Sequence, residues 1–109
     1  MSHWVDLEPE LFVELLRSGK LESRQIIDVR EGMEWDYYHL EQSLLIPMNT
    51  IPDRLNELAS DKPLYIICAH GVRSAAVCNY LQEKGYGSLH NVAGGMASVA
   101  SIYDGFQYD

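Results

Sequence analysis

No apolar run in this sequence approaches the ~20 consecutive residues that a membrane-spanning helix needs, so no bilayer segment and no membrane partner are expected. Cysteine is equally scarce. Two in 109 residues cannot make the disulfide framework of a small secreted scaffold, and a chain of this length buries roughly two thirds of its unfolded surface without covalent help. Reduced thiols are the expectation. Positive charge is thin, with 8 Lys and Arg against 16 Asp and Glu and a formal net charge of -8. The basic residues are scattered, so phosphate backbones find no footprint and no nucleic-acid partner is expected. The 4 histidines show no HExxH or Cys/His ligand spacing, and no metal or organic cofactor is expected. The segment "GYGSL" at Gly85 lacks the third glycine of a dinucleotide fingerprint and follows a helical pattern, which makes it a turn signal. The opening "MSHWVDLEPE" has no basic segment leading into an apolar one, so it does not read as a secretory signal and cytoplasmic residence is expected. Repeats, low-complexity tracts and interdomain linkers are missing as well.

What remains is ordinary globular composition, 47% hydrophobic and 22% charged. It reads as a single domain over residues 1–109, with its core at about 5–99 and a C-terminal tail at 100–109. His3 to Asp6 reads as a short strand. Pro9 suits a first helical turn, after which Leu11, Phe12, Leu15 and Leu16 form an apolar face stopped by Gly19. Gln25 to Val29 reads as a buried strand, Met33 to Tyr38 as one or two helical turns, and Leu44 to Ile46 as a strand closed by Pro47. Leu55 and Leu58 suggest a short helix before Lys62-Pro63 breaks it. Leu64 to Ile67 follows that breaker as an uninterrupted apolar strand, which places it centrally. Ser74 to Lys84 reads as a helix with Ala76, Val77, Tyr80 and Leu81 at core spacing, ended by Gly85. Ser88 to Val92 is a last strand, and Ala97 to Ile102 a last helix after Gly94-Gly95. Strands alternating with helices predict an α/β fold, a mainly parallel sheet with helices on both faces. Ligands of such sheets sit beyond the carboxyl ends of the strands.

Cys68 stands at such an end, in "YIICAHGVRSAA". If it closes the strand and a helix begins at Ser74, the backbone of Ala69, His70, Gly71, Val72 and Arg73 must curl between them, and Gly71 permits the curl. Inward-facing amides, the positive end of the helix and the Arg73 guanidinium then make an anion cradle with Cys68 at its floor. A thiol placed there ionises more readily than a free one and becomes a nucleophile. The plainer reading, a buried cysteine that happens to end a strand, is disfavoured by the glycine, arginine and serine that follow within six residues.

The segments "IIDVREGMEWDYYHL", "LYIICAHGVRSAAVCNYLQEKGY" and "NVAGGM" resemble the single-domain rhodanese-like family, whose pattern runs DVR-x3-E-[FYW]-x3-H, then C-x2-G-x-R-S, then L-x-GG. The resemblance covers about Val5 to Val99, in order and at the right spacing. It implies a five-stranded parallel sheet and a sulfurtransferase in which Cys68 carries sulfane sulfur as a persulfide, taken from a small anionic donor such as thiosulfate and given to a thiol or protein acceptor. Ala69 to Ser74 would bind the transferred sulfur, and Arg73 the donor's oxyanion. Asp28 and Arg30, with Glu34 and His39, match positions expected to brace the loop. Thiosulfate, glutathione persulfide, a protein persulfide and a thioredoxin-like thiol all suit this chemistry, and the oligomeric state is left open.

Two other readings compete. Phosphatases and arsenate reductases of the superfamily space the pair as C-x5-R, whereas four residues separate Cys68 from Arg73 here, a ring better sized for one sulfur atom. Rhodanese-like recognition modules often lack the cysteine that this loop has. Cys78 flanks core-facing Val77 and Leu81 and is read as structural, not as a redox partner of Cys68. His70 either adds charge to the loop or faces solvent. Gly94-Gly95 is read as a turn before the last helix, with a close approach to the active loop as the alternative. Trp35, Tyr37 and Tyr38 cannot all be buried by one short helix, so at least one is expected at the surface as a docking element. Tyr38, Gln42 and Val99 replace two glycines and a tryptophan of the family pattern, so an altered turn and looser packing of the last helix are expected. The tail "SIYDGFQYD" either folds back or frays.

Overall fold

The computed structural model describes residues 3–108. Its strands are β1 (Val5–Leu7), β2 (Ile26–Asp28), β3 (Leu44–Leu45), β4 (Leu64–Ile67) and β5 (Leu89–Val92). The helices are α1 (Pro9–Ser18), α2 (Gly32–Tyr37), α3 (Val72–Glu83) and α4 (Gly95–Asp104), with short 3-10 turns at Ser23–Gln25, Met48–Asp53 and Leu55–Glu57. The strands pair in the order β1-β5-β4-β2-β3, and every pairing is parallel. β4 lies in the middle, as its continuous apolar run predicts. Around Leu55 and Leu58 the short helix is a single 3-10 turn, Leu55–Glu57, kept apart from Met48–Asp53 by the non-helical backbone of Arg54 (φ -126°).

Alternation along the strands divides the core in two. Ile27, Leu64, Ile66 and Cys68 face α3, where they meet Val77, Cys78 and Leu81. Ile26, Tyr65 and Ile67 face α1 and α4, where Phe12, Val13, Leu16, Met96 and Val99 wait. Helices therefore cover both sheet faces. Two amphipathic stripes differ from expectation. In α1, Val13 joins Phe12 and Leu16 in the core while Leu11 is exposed, since residues 12, 13 and 16 project within one arc and 11 lies outside it. In α3 the stripe is Ser74, Val77, Cys78 and Leu81, with Ala76 exposed; the helix begins at Val72, two residues before the expected start, because Gly71 takes the cap in a left-handed conformation (φ 99°). Val99, where the resemblance leads one to expect a tryptophan, is fully buried in the core cluster with Phe12 and Leu16. No helix among the described residues is long and apolar enough to cross a membrane.

Candidate active site

β4 delivers Cys68 to its carboxyl end, and only Ala69, His70 and Gly71 separate it from α3. The thiol is 1% exposed, at the bottom of the turn. Gly71 N–H donates to Cys68 Sγ at 3.1 Å, and Ser74 Oγ lies 3.2 Å from the same sulfur. Burial is the largest single influence on this thiol and opposes its ionisation. The Ser74 hydroxyl and the backbone amides of Ser74, Gly71 and His70 act the other way and together outweigh burial, so the thiol ionises below its ordinary pKa. Cys78, the second free thiol, is buried against α3's core face, where burial first and then the charge of Asp6 push its pKa up to about 12. Alkylation by iodoacetamide is therefore expected at Cys68 alone, with a midpoint below that of a free cysteine. Replacement of Ser74 by Ala should move that midpoint upward, and an unmoved midpoint would remove the hydroxyl from the cradle.

A polar chain that sequence reading missed stands behind Ser74. Asn91, buried in β5, donates its Nδ2 to Asp6 Oδ1 (2.9 Å) and to the Gly71 carbonyl (3.2 Å), which turns its Oδ1 toward the Ser74 hydroxyl, its hydrogen-bond donor. A hydroxyl has one proton. With Cys68 as a thiol, S–H can donate to Ser74 Oγ while Ser74 donates to Asn91; with a thiolate, the Ser74 proton turns to the sulfur. The available signal was an asparagine inside the strand "LHNV", where a buried polar residue needs a partner.

Gly95 makes the close approach that was the lesser reading of Gly94-Gly95. Its φ is +63°, and a Cβ there would lie 2.5 Å from the Ala69 carbonyl carbon and oxygen. Met96 N–H and Ala97 N–H donate to the Cys68 and Ala69 carbonyls at 2.7 and 3.1 Å, so the start of α4 clamps the loop from outside. Both readings hold, one at each glycine: Gly94, at φ 76°, makes the turn that caps α4, and Gly95 makes the approach to the loop.

Above the loop lies an open cleft of about 580 Å³, lined by Met33, Glu34, Tyr37, Ala69, His70, Arg73 and Tyr108. Arg73 lines it but is engaged: its Nη1 and Nη2 donate to Glu34 Oε1 and Oε2, each at 2.8 Å, a fork-to-fork ion pair. The expected oxyanion ligand thus meets a donor with its charge already balanced. The hydrogen bonds from Arg73 are the main reason that Glu34 is held at about 2, below the ordinary 4.5. A carboxylate depressed on folding stabilises above its unfolded pKa and loses that contribution as pH falls, here between about 4.5 and about 2. Glu34→Gln should flatten the acid limb of a stability profile across that window; an unchanged limb would mean that the pair is not formed in solution.

Asp28 and Arg30 form a fully buried ion pair, Nη2 to Oδ2 at 2.8 Å. They brace α2 and make no hydrogen bond to Cys68, but Arg30 Nη1 reaches two residues of the cleft lining, the Glu34 carbonyl at 3.2 Å and the Tyr108 hydroxyl at 3.1 Å. His39 braces α2 also, with its Nδ1 2.8 Å from the Trp35 carbonyl and its ring stacked on Trp35, and it does not reach the loop. His70 is exposed and faces the edge of Tyr108, 6.2 Å between ring centres. Val72 points outward, 78% exposed, and its side chain takes no part in the cradle expected of it. Of the three aromatics, Tyr37 is the surface one, 51% exposed. Among the described residues no group of His, Cys, Asp or Glu is arranged to hold a metal.

The rhodanese-like domain family matches residues 8–101. A protein named "Sulfurtransferase" from Allochromatium vinosum is 33% identical over 84 residues, covering 77% of this chain and 78% of that protein. "Thiosulfate sulfurtransferase GlpE" of Pseudomonas syringae is 28% identical over 103 residues, covering 94% of this chain and 93% of its own. A solved rhodanese-like domain protein from Staphylococcus aureus superposes with a TM-score of 0.76 at 37% identity, covering 91% of each chain. Other relatives are longer: the chain spans 56% of one Bacillus subtilis protein and 49% of another.

Proposed function

The chain belongs to the rhodanese-like family, and from that premise we propose that it is a sulfurtransferase whose Cys68 carries sulfane sulfur as a persulfide between a small donor and a thiol or protein acceptor. The observation that supports this best is the convergence of the Gly71 N–H (3.1 Å) and the Ser74 hydroxyl (3.2 Å) on Cys68 Sγ, in a loop whose Ala69, His70 and Arg73 line an open cleft.

In the first stage the Cys68 thiolate attacks the outer sulfur of the donor. An Sγ–S bond forms, the donor's S–S bond breaks, and the leaving group departs with the electron pair, as sulfite when the donor is thiosulfate. In the second, an acceptor thiolate attacks the outer sulfur of the persulfide and Cys68 departs as thiolate. The amides serve both stages, since they already face the place where negative charge resides. A phosphatase reading is less suited to this geometry: the ring between Cys68 and Arg73 is small, and Glu34 occupies the guanidinium that a tetrahedral dianion would require.

Intact-protein mass spectrometry tests the proposal. The reduced protein should gain one sulfur from thiosulfate or glutathione persulfide and lose it to cyanide. No gain from either donor would overturn it.

A further inference from the structure

We propose that the C-terminal tail, beyond the family-matched residues 8–101, is a wall of the sulfur site, and that Tyr108 gives this site a preference for a low-molecular-weight organic persulfide over thiosulfate. The inference rests on the Cys68 persulfide reading above.

The tail folds back and is fixed at several points. Gly105, at φ 71°, ends α4, and Phe106 N–H donates to the Ala100 carbonyl at 3.1 Å. The Phe106 ring stacks on Tyr38 with centres 4.5 Å apart and meets the edge of Tyr37 at 5.5 Å, while the Tyr38 hydroxyl donates to the Asp104 carboxylate. Tyr108 then lands in the cleft, 5.5 Å from Tyr37 and 6.2 Å from His70 between ring centres, with its hydroxyl accepting from Arg30 Nη1 at 3.1 Å. The anchoring guanidinium belongs to a fully buried arginine, so the ring is positioned from below.

The resulting cleft offers little to a compact dianion. Among the described residues Arg73 is the only Lys or Arg in its lining, and Glu34 holds both terminal nitrogens. The formal net charge of -8 adds repulsion at longer range. Tyr108, Tyr37 and Met33 instead present ring faces, ring edges and a thioether to whatever enters. A donor R–S–SH can lay its carbon-bearing body on that wall while its outer sulfur reaches Cys68. The step balances: the Cys68 thiolate attacks the outer sulfur, the Sγ–S bond forms, the donor S–S bond breaks, R–S⁻ leaves with the electron pair, and the proton stays on the transferred sulfur.

The test is a comparison of second-order loading rates from glutathione persulfide and thiosulfate, measured on the full chain by quenched intact mass, for the native protein, Tyr108→Ala, Tyr108→Phe and Tyr37→Ala. Native protein should load faster from glutathione persulfide. Tyr108→Ala and Tyr37→Ala should each slow that donor by about two- to tenfold, the scale of a lost aromatic contact, and by more than they slow thiosulfate, so that the ratio of the two rates falls. Tyr108→Phe keeps the ring and should keep the preference. Equal slowing of both donors, or no slowing, overturns the role of Tyr108. Native protein that loads from neither donor overturns the persulfide reading itself, a result seen without any variant.

Discussion

Replacement of Cys68 by Ser is expected to remove sulfur loading entirely while leaving the fold in place. The two halves of this expectation have separate causes. An alcohol in the cradle remains protonated where the thiol ionises, and its oxygen cannot form the S–S bond that stores the sulfur, so transfer should fall by at least about a thousandfold. The fold survives because the serine hydroxyl inherits the same partners: Gly71 N–H to accept from and Ser74 Oγ to pair with, so the buried polar atom is satisfied. A stability change within about 1 kcal/mol is expected by thermal melting. Cys78→Ala serves as the companion, and it should still load, since that thiol is fully buried and titrates far above neutral pH. If Cys68→Ser gains sulfur and Cys78→Ala does not, the assignment of the nucleophile is reversed.

Much of this site was legible because its chemistry is local. Cys68, Gly71, Arg73 and Ser74 stand within seven residues, and an apolar run before them with a small-residue run after them identifies a strand-to-helix corner without knowledge of the rest. The four parallel pairings follow from alternating elements for a similar reason: each of the five strands declares itself within its own window. The features that escaped detection are contacts between distant segments. Glu34 meets Arg73 across 39 positions, Asn91 meets Asp6 across 85, and Arg30 meets Tyr108 across 78. A window of local pattern holds no information about such pairs. Gly95 shows the same limit, since a glycine needed for a tight turn and one needed where a Cβ would fall 2.5 Å from another backbone carry the same letter. The register of an amphipathic stripe also depends on its partner: Ala76 and Leu11 looked core-facing because spacing alone fixes a face to within about one residue, roughly 100° around a helix.

The largest stability effect is expected at Arg30. Its side chain is fully buried, donates to Asp28 through Nε (2.9 Å to Oδ1) and Nη2 (2.8 Å to Oδ2), and reaches the carbonyls of Glu34 (3.2 Å) and Tyr38 (2.6 Å) as well as the Tyr108 hydroxyl. One guanidinium therefore ties the end of β2 to α2 and to the tail. Arg30→Met keeps most of the volume but strands the Asp28 carboxylate, whose side chain is itself fully buried. Removal of one partner from such a pair costs about 3–5 kcal/mol, a large share of the roughly 5–15 kcal/mol available to a small domain. The melting temperature should fall by about 12 °C or more. Arg30→Lys should recover only part, because an ammonium is a point charge that cannot fork to Asp28 and to two carbonyls at once. Asp28→Asn combined with Arg30→Met should be milder than Arg30→Met alone, since no charge is then left buried without its counterion. A melting temperature for Arg30→Met within a few degrees of native would show that water enters to solvate Asp28, and the brace would lose its energetic meaning. The consequence at the site is specific: α2 carries Glu34 and Tyr37, and the tail carries Tyr108, so a loosened Arg30 frees Arg73 from Glu34 and opens the aromatic wall together. In folded Arg30→Lys protein, the preference between the two sulfur donors should therefore shrink while Cys68, held by its own loop, still loads.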